Sequence, residues 1–298
     1  MILVLGSCMM DLIVRTDKFP EAGETIFGNS FQTLPGGKGA NQAVQIKRLG
    51  GNIILTGKIG SDSFGDAFIS VFKKENMCLD YIYKGTSNGI GSISIDKSGQ
   101  NKIIVIPGAN MEYTVTELLT HKDVFGKADI FLSQLEMPLD VITEFGHLAK
   151  KGNKTFVLNP APAKKLSNEL LSLVDYLTPN ETELEILTGI KVIDLASAEQ
   201  AARSMLDKGV KNVIVTLGVN GSLFVNKESV IHQKAFKVKA IDTVAAGDSY
   251  NGALCYALDN GYKIKDALEL ASKCSALTVT KEGAIPALPT IDEVKRFI

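Results

Sequence analysis

Asp242-Thr243-Val244-Ala245-Ala246-Gly247-Asp248 is the stretch of this 298-residue chain that bears most directly on its fold. The segment before it, 237–241, predicts a strand, and the segment after it has a helical apolar period to about Leu258. The small residues between them predict a tight turn from strand to helix. A strand that turns directly into a helix is the repeating unit of α/β folds.

The rest of the chain repeats this alternation. Predicted strands lie at 2–5, 53–56, 130–133, 155–158, 176–178 and 212–217. Predicted helices include 40–49, 64–75, 197–208 and 265–281. Continuous apolar strands separated by amphipathic helices indicate a sheet covered on both faces. We therefore predict a doubly wound α/β fold with a mostly parallel sheet.

Two segments depart from this pattern. Residues 12–34 contain Pro20, Gly23 and Gly28 but have no helical period. Residues 89–107 alternate in polarity on either side of a turn near 97–100, which is typical of a hairpin. These segments form either a small antiparallel sheet that stands off the core or edge strands of the main sheet.

Composition narrows the class of protein. The chain is 45% hydrophobic and 22% charged, with a net charge of −1. These values argue against disorder and against a nucleic-acid binder, which would carry a basic stripe. No apolar stretch approaches the roughly 18 residues that cross a bilayer. We read the opening MILVLGS as a buried strand rather than a signal peptide, and expect a cytoplasmic protein without a membrane partner.

The cysteines and histidines do not point to a site. Four cysteines without a Cys-x-x-Cys pair indicate reduced thiols. None of the three histidines stands at metal-ligand spacing, and we interpret each as solvated; they are His121, His147 and His232. A catalytic base is therefore expected among the carboxylates or lysines.

Asp248 has two interpretations. Free N–H groups at the start of a helix attract an anion, and the helix dipole adds partial positive charge. An ionised Asp248 beside such an anion hole would suit proton transfer from a hydroxyl during phosphoryl transfer. The alternative is that Asp248 is only a helix cap, and for this motif alone that alternative is slightly favoured.

Gly36-Gly37-Lys38-Gly39-Ala40-Asn41 is a second candidate site. Its glycines allow a ligand to approach the backbone at a helix start, and Lys38 and Asn41 supply donors for sugar hydroxyls. The alternative is a glycine-rich loop with a capping role only. The sequence has neither a P-loop nor a dinucleotide fingerprint, so a nucleotide would have to bind by another device.

Two weaker motifs follow predicted strands. Asn180-Glu181-Thr182-Glu183 is either a capping box or a water-bridged Mg²⁺–phosphate site. Thr216-Leu217-Gly218-Val219-Asn220-Gly221 is either a tight turn or a nucleotide-phosphate loop. All four motifs are expected at the carboxyl edge of the sheet, where ligands bind in open α/β folds.

With these motifs the chain resembles a known family, the ribokinase branch of the PfkB sugar and nucleoside kinases. The glycine motif with Gln42-Ala43 resembles the amino-terminal signature, Asn159-Pro160-Ala161-Pro162 a mid-chain marker, and Asp242–Asp248 the carboxy-terminal signature. The likeness covers essentially the whole chain. It implies a single three-layer α/β/α kinase domain with a core of 1–11, 35–88 and 108–298, and a β lid of 12–34 and 89–107 through which relatives form homodimers.

The resemblance also implies an activity, namely transfer of the ATP γ-phosphate to O5 of D-ribose with Mg²⁺ and activation by K⁺. Asp248 would be the base, with Ala245, Ala246 and Gly247 as the anion hole. Sugar-contacting positions are matched by Met9, Asp11, Gly37, Lys38, Asn41 and Glu136. Nucleotide positions are matched by Asn180, Thr216, Gly218, Gly221, Gly247 and Ser272, and the Mg²⁺–phosphate carboxylate by Glu183. The K⁺ loop is matched, mostly through backbone carbonyls, by Asp242, Val244, Thr278, Lys281, Gly283 and Ala287.

Two positions depart from the family pattern. Met9 stands where many bacterial ribokinases carry an asparagine that can bond sugar hydroxyls, and deoxyribokinases resemble this chain there. Ala287 stands where relatives often carry a serine, so only its carbonyl could bind K⁺. Ribose is the first expectation and 2-deoxy-D-ribose the close alternative; a nucleoside kinase and a non-catalytic sugar sensor are the remaining ones.

Overall fold

The computed structural model describes residues 1–297. Its strands are β1 (Ile2–Leu5), β2 (Met9–Arg15), β3 (Ser30–Gly36), β4 (Ile53–Gly60), β5 (Ile82–Gly85), β6 (Gly89–Ile95), β7 (Asn101–Ile106), β8 (Ile130–Ser133), β9 (Thr155–Leu158), β10 (Tyr176–Leu177), β11 (Asn212–Thr216), β12 (Ser222–Val225) and β13 (Val230–Gln233). Its α-helices are α1 (Lys38–Arg48), α2 (Ser63–Lys74), α3 (Val115–Thr120), α4 (Lys122–Phe125), α5 (Leu139–Lys151), α6 (Asn168–Leu173), α7 (Glu181–Thr188), α8 (Leu195–Asp207), α9 (Ala246–Asp259), α10 (Ile264–Thr278) and α11 (Ile291–Arg296). Short 3₁₀ turns lie at Gly108–Glu112, Gly218–Asn220 and Ile285–Ala287.

The larger sheet runs in the order β13-β12-β11-β10-β9-β8-β1-β4-β5. The strands from β11 to β5 pair in parallel, whereas β12 and β13 are antiparallel and form one edge. The prediction of a mostly parallel α/β sheet is therefore confirmed. The antiparallel hairpin of β12 and β13 at this edge was not among the predicted elements.

Helices cover both faces of this sheet. In β1, Ile2 and Val4 join one apolar cluster with residues of α1 and α2, while Leu3 and Leu5 join another with residues of α5 and α8. A strand that is buried on both faces needs apolar side chains at every position. This is why the central strands are continuous apolar runs. Helices on both faces of the sheet give the fold three layers, α/β/α.

The smaller sheet has the order β3-β2-β6-β7 and is mostly antiparallel. Its hairpin turns at Asp96, whose N–H donates to the Gln100 carbonyl at 3.0 Å. The predicted hairpin and the predicted separate sheet are thus present, and the edge-strand alternative is wrong. We call this sheet the small sheet.

Two predictions are wrong. Residues 237–241 form no strand, because this segment packs against the end of α10, where the Ile241 N–H donates to the Val279 carbonyl at 2.7 Å. His121 is buried rather than solvated, because Tyr81 and Tyr83 enclose its ring with centroids at 4.9 and 5.3 Å.

Candidate active site

The candidate site lies where the parallel strands end. The segments after β1, β8, β9, β10 and β11 reach this edge of the large sheet, and the first turns of α1 and α9 face them. This is the expected ligand face of an open α/β sheet. In the parts of the chain that the structure describes, no group of three or more His, Cys, Asp or Glu residues could hold a metal ion by itself.

Asp248 is the most enclosed carboxylate at this edge, with 7% of its surface exposed. Its Oδ2 accepts a hydrogen bond from Asn41 Nδ2 at 2.8 Å, and its Oδ1 accepts one from Gln42 Nε2 at 2.9 Å. The residue before α9 is Ala245, and no side chain caps the helix. The interpretation of Asp248 as a helix cap is therefore wrong, and its carboxylate is directed to α1 instead.

The turn before Asp248 presents free N–H groups. Ala245 has φ 59°, a left-handed conformation that costs a non-glycine residue about 1 kcal/mol or more. The Ala246 N–H donates to Thr243 at a long 3.3 Å, and within residues 1–297 the N–H groups of Gly247 and Asp248 have no acceptor. A Cβ added at Gly247 would meet no atom within 4 Å. The turn therefore opens toward free space, with N–H groups without acceptors at the start of the helix.

Asp11 sits between two glycines of neighbouring strands. Cβ atoms added at Gly36 and Gly91 would lie 2.8 and 2.7 Å from its two carboxylate oxygens. Burial, together with repulsion from Glu136 and Asp248, raises the pKa of Asp11 to about 7 from its ordinary 3.8. Asp11, on the small sheet, thus lies close enough to Asp248 in the core for the charges of the two carboxylates to interact.

Lys38 provides the positive charge among these groups. Burial works against its charge, but four surrounding carboxylates outweigh burial and raise the pKa of Lys38 above its ordinary value. In order of effect they are Asp248, Glu136, Glu183 and Asp11. Glu136 is itself held by the Ser7 hydroxyl and by the Lys38 backbone N–H, the latter at 3.1 Å. Charged positions named from the sequence are thus brought together around one lysine.

Gly37, which precedes Lys38, lies against the backbone of Met9. Gly37 has φ 87°, and a Cβ there would lie 2.5 Å from the Met9 amide nitrogen, so only glycine allows this close approach. Met9 is 5% exposed, and its Sδ lies 3.0 Å from Nδ2 of Asn110. The thioether is therefore held in place by a buried amide.

The predicted nucleotide residues occupy the next two strand ends. Asn180 and Glu183 form a reciprocal capping box at the start of α7, which confirms the plain interpretation of this motif. Burial raises the pKa of Glu183, and the Asn180 N–H and Lys38 oppose this only in part. Asn180 also bridges to Thr216, which ends β11.

The glycines beyond Thr216 shape a tight turn. Gly218 and Gly221 have φ values of 53° and 91°, and a Cβ at Gly221 would lie 2.0 Å from the Gln233 carbonyl oxygen. Gly221 is therefore required for the β11–β12 turn, whereas a Cβ at Gly218 would meet no atom within 4 Å. Ser272, also matched to the nucleotide by resemblance, is buried in the second half of α10.

Asp242 ties together the two segments matched to the K⁺ loop. One of its oxygens accepts from the Val244 N–H and the other from the Gly283 N–H, each at 3.0 Å. At the end of α10, the Thr278 carbonyl accepts from the Lys281 N–H at 3.1 Å. The Lys281 ammonium pairs with Glu293, and of Lys281 only the backbone carbonyl could meet a cation. Ala287 lies buried in the adjoining 3₁₀ turn.

Several buried amides around the site were not among the predicted site residues. Gln42 lies beside the recognised glycine motif, and Asn159 stands in the mid-chain marker; both bond within the site. Asn110, which holds Met9, follows the small sheet directly. Proximity to a motif was the available signal for the first two, while the Asn110 contact spans about a hundred residues of sequence.

Comparison with known proteins identifies the family. Residues 1–291 match the family model described as pfkB family carbohydrate kinase. The chain belongs to the pfkB family. Accordingly it is a sugar kinase, an enzyme that transfers phosphate to an alcohol group.

Individual pfkB relatives match over nearly their whole length. A Staphylococcus aureus ribokinase is 40% identical over 299 residues, covering 99% of this chain and 98% of the relative. A Salmonella typhimurium deoxyribokinase is 34% identical over 300 residues, covering 100% and 98%. The structure of Arabidopsis thaliana ribokinase complexed with ribose and ATP superposes with a TM-score of 0.93 at 31% identity, covering 99% and 97% of the two chains. The predicted family and fold are confirmed. Among residues 1–297, no helix is both long and apolar enough to cross a membrane.

Proposed function

We propose that this pfkB kinase transfers the γ-phosphoryl group of ATP to O5 of D-ribose, with Asp248 as the general base. The observation that carries the proposal is the position of the Asp248 carboxylate, which is buried and fixed by two amides directly beside free N–H groups. Each carboxylate oxygen keeps a second lone pair that can accept the proton of an attacking hydroxyl. The N–H groups of 245–247 and Asp248 stabilise charge on the transferred group.

The sugar lies between the small sheet and the core in this proposal. Asp11 and Glu136 accept hydrogen bonds from its hydroxyls, while Lys38 and Asn41 donate. Asn41 can also accept a hydrogen bond from a sugar hydroxyl, because its Oδ1 atom is buried without a partner in the described structure. Residues 12–34 and 89–107, which carry most of the small sheet, act as a lid over the core of 1–11, 35–88 and 108–298.

The nucleotide occupies the adjoining strand ends, between Asn180 and the 216–221 turn. Mg²⁺ would enter with the ATP phosphates, neutralising their charge, and Glu183 would bind it through water. The half-buried Glu183 carboxylate and the lack of a self-sufficient metal cluster in the described chain fit this arrangement. For K⁺, the carbonyls of 242–244 and of 278–287 are the candidate ligands, since Asp242 holds these segments together.

The alternative substrate is 2-deoxy-D-ribose, and Met9 is the observation that favours it. Its Sδ is held by Asn110 near Asp11, where a hydroxyl at the second carbon of ribose would need a polar partner. A thioether is a weak acceptor, and an unpaired buried hydroxyl weakens binding. The deoxy sugar would lose nothing at this position.

A homodimer through the small sheet is part of the proposal. On the edge strand β7, Ile103, Ile104, Val105 and Ile106 are each at least 50% exposed. An apolar edge strand of this kind is normally covered by another chain or element. Phe31 on the opposite edge strand is 63% exposed as well.

The proposal is tested by measuring ADP release with ribose, 2-deoxyribose, fructose and adenosine, each with and without K⁺. If the enzyme phosphorylates neither ribose nor 2-deoxyribose, the proposal is refuted. Asp248→Asn should lower kcat by about 10²–10⁴-fold with nearly unchanged ATP binding. If Asp248→Asn retains native kcat, Asp248 is not the base.

Met9→Asn separates the two pentoses. The asparagine should raise the ratio of kcat/KM for ribose to that for 2-deoxyribose by about tenfold, the value of one hydrogen bond. An unchanged ratio would show that Met9 does not contact the second carbon.

A further inference from the structure

Gln42 has no exposed surface, yet its side-chain amide makes three hydrogen bonds. Nε2 donates to Asp248 Oδ1 at 2.9 Å and to Asn159 Oδ1 at 3.1 Å, and Oε1 accepts from Gln134 Nε2 at 2.6 Å. A buried amide bonded on both sides has one orientation only, since rotating it would break bonds that no water replaces. Its donor is therefore aimed permanently at Asp248.

The amide belongs to a longer polar relay that returns to the same turn. Asn159 Nδ2 donates to the Thr178 carbonyl at 3.1 Å, and the Thr178 hydroxyl donates to Asn251 Oδ1 at 2.6 Å. Asn251 Nδ2 then donates to the Gly247 carbonyl at 2.9 Å. The relay thus connects the strand ends of the core to both the Asp248 carboxylate and the turn that precedes it.

The two donors to Asp248 differ in what else holds them. The Asn41 side chain bonds only Asp248 within residues 1–297, since its Oδ1 has no partner there, and so it can turn toward a sugar by breaking a single bond. Gln42 is held by Gln134 and Asn159, and it cannot leave the carboxylate without breaking their bonds as well. One fixed donor is enough to keep Oδ1 in place while Oδ2 remains available to a substrate hydroxyl.

We propose that Gln42 is a positioning residue for phosphoryl transfer, which holds the Asp248 carboxylate in the orientation that accepts the hydroxyl proton. This inference rests on the proposed role of Asp248 as the base. Gln42 itself contacts neither sugar nor nucleotide; it acts through Asp248. A misplaced or protonated base lowers the rate of the chemical step and leaves ground-state binding nearly unchanged.

Other charged groups also face Asp248 and remain unchanged in the test. They are Asp11 on β2, Lys38 and Glu183 on the first turns of α1 and α7, with Glu136 behind Lys38. Because Asp11 is expected to affect sugar affinity, the pH profile is measured as kcat at saturating sugar and ATP. The fall of kcat at low pH is the acid limb of this profile. A shift of the acid limb when only Gln42 is changed then reports the environment of Asp248.

The test uses two variants of similar volume and a matched control. Gln42→Met removes the donor, and kcat should fall about 10- to 100-fold with KM values within about threefold. Its acid limb should move to higher pH, because the ionised form has lost a donor. Gln42→Glu places a second carboxyl against Asp248, and the pair would share a proton, so the limb should move further, by about one pH unit or more.

Gln45→Met is the control, because Gln45 is equally buried on α1 and bonds Ser249 Oγ and the Pro289 carbonyl rather than Asp248. It should lose comparable stability with its acid limb unchanged. If Gln42→Met and Gln45→Met give the same limb as the native enzyme, Gln42 is merely structural and the proposal is overturned. If Asp248→Asn retains native kcat, the proposed role of Asp248 as the base fails too. The Asp248→Asn result therefore shows whether only the role of Gln42 is wrong or the proposed function as well.

Discussion

Asp11→Asn should stabilise the folded protein at pH 8 and at the same time weaken its binding of the sugar. In the folded protein the pKa of Asp11 is about 7, against an ordinary 3.8, because burial and the nearby Glu136 and Asp248 disfavour its charge. As the pH rises, the unfolded chain releases this proton first. The free energy of unfolding contributed by Asp11 is therefore present below pH 3.8 and is lost as the pH rises to about 7.

The size of the effect follows from the two pKa values. If Asp11 titrated alone, the difference would correspond to about 4 kcal/mol at pH 8, and coupling to its neighbours reduces this. Asparagine has nearly the same shape and does not titrate. The stability advantage of Asp11→Asn over the native protein should therefore grow by about 2–3 kcal/mol between pH 5 and pH 8.

The assay is urea unfolding of both proteins at pH 5, 6.5 and 8, with the sugar KM measured in parallel. The KM of the variant should rise about tenfold or more, since a carboxylate acceptor is lost. Asp80→Asn, which changes an exposed carboxylate, should leave the pH dependence of unfolding as it is. If Asp11→Asn and the native protein lose stability in parallel as the pH rises, Asp11 is not held in the neutral form and the electrostatic reasoning is wrong.

Two further predictions concern the small sheet. Gly91→Ala would put a Cβ 2.7 Å from Asp11 Oδ1 and should raise the sugar KM about tenfold or more, because the carboxylate is displaced. The control is Gly28→Ala, whose Cβ has its nearest contacts at 3.4 Å and should leave the sugar KM unchanged. Equal KM values for the two variants would show that Asp11 is not held between Gly36 and Gly91. Ile104→Lys, on an exposed edge residue, should turn a dimer into a monomer in analytical ultracentrifugation, and a native protein that sediments as a monomer would contradict the proposed interface.

The layer architecture could be predicted because it depends on local pattern. Continuous apolar runs such as Ile2–Leu5 pack on both faces of the sheet, and the period of the helices shows which stripe is buried. The hairpin over 89–107 could be predicted from its alternation, but the sequence left open whether it belonged to a separate sheet or to an edge of the main sheet. Strand 237–241 was predicted wrongly because its residues bond the end of α10, and that partner is about forty residues away along the chain.

For the site, the sequence by itself determined the candidate residue types and the order of the motifs. Glycine is required at Gly37 and Gly221 by close backbone approach, and such requirements are written in the sequence as glycine-rich motifs. Only the tertiary structure decided that Asp248 faces Asn41 and Gln42 instead of capping its own helix. These bonds join residues more than two hundred positions apart, and a pattern that reads neighbouring residues carries no information on which side chain meets a carboxylate across the core.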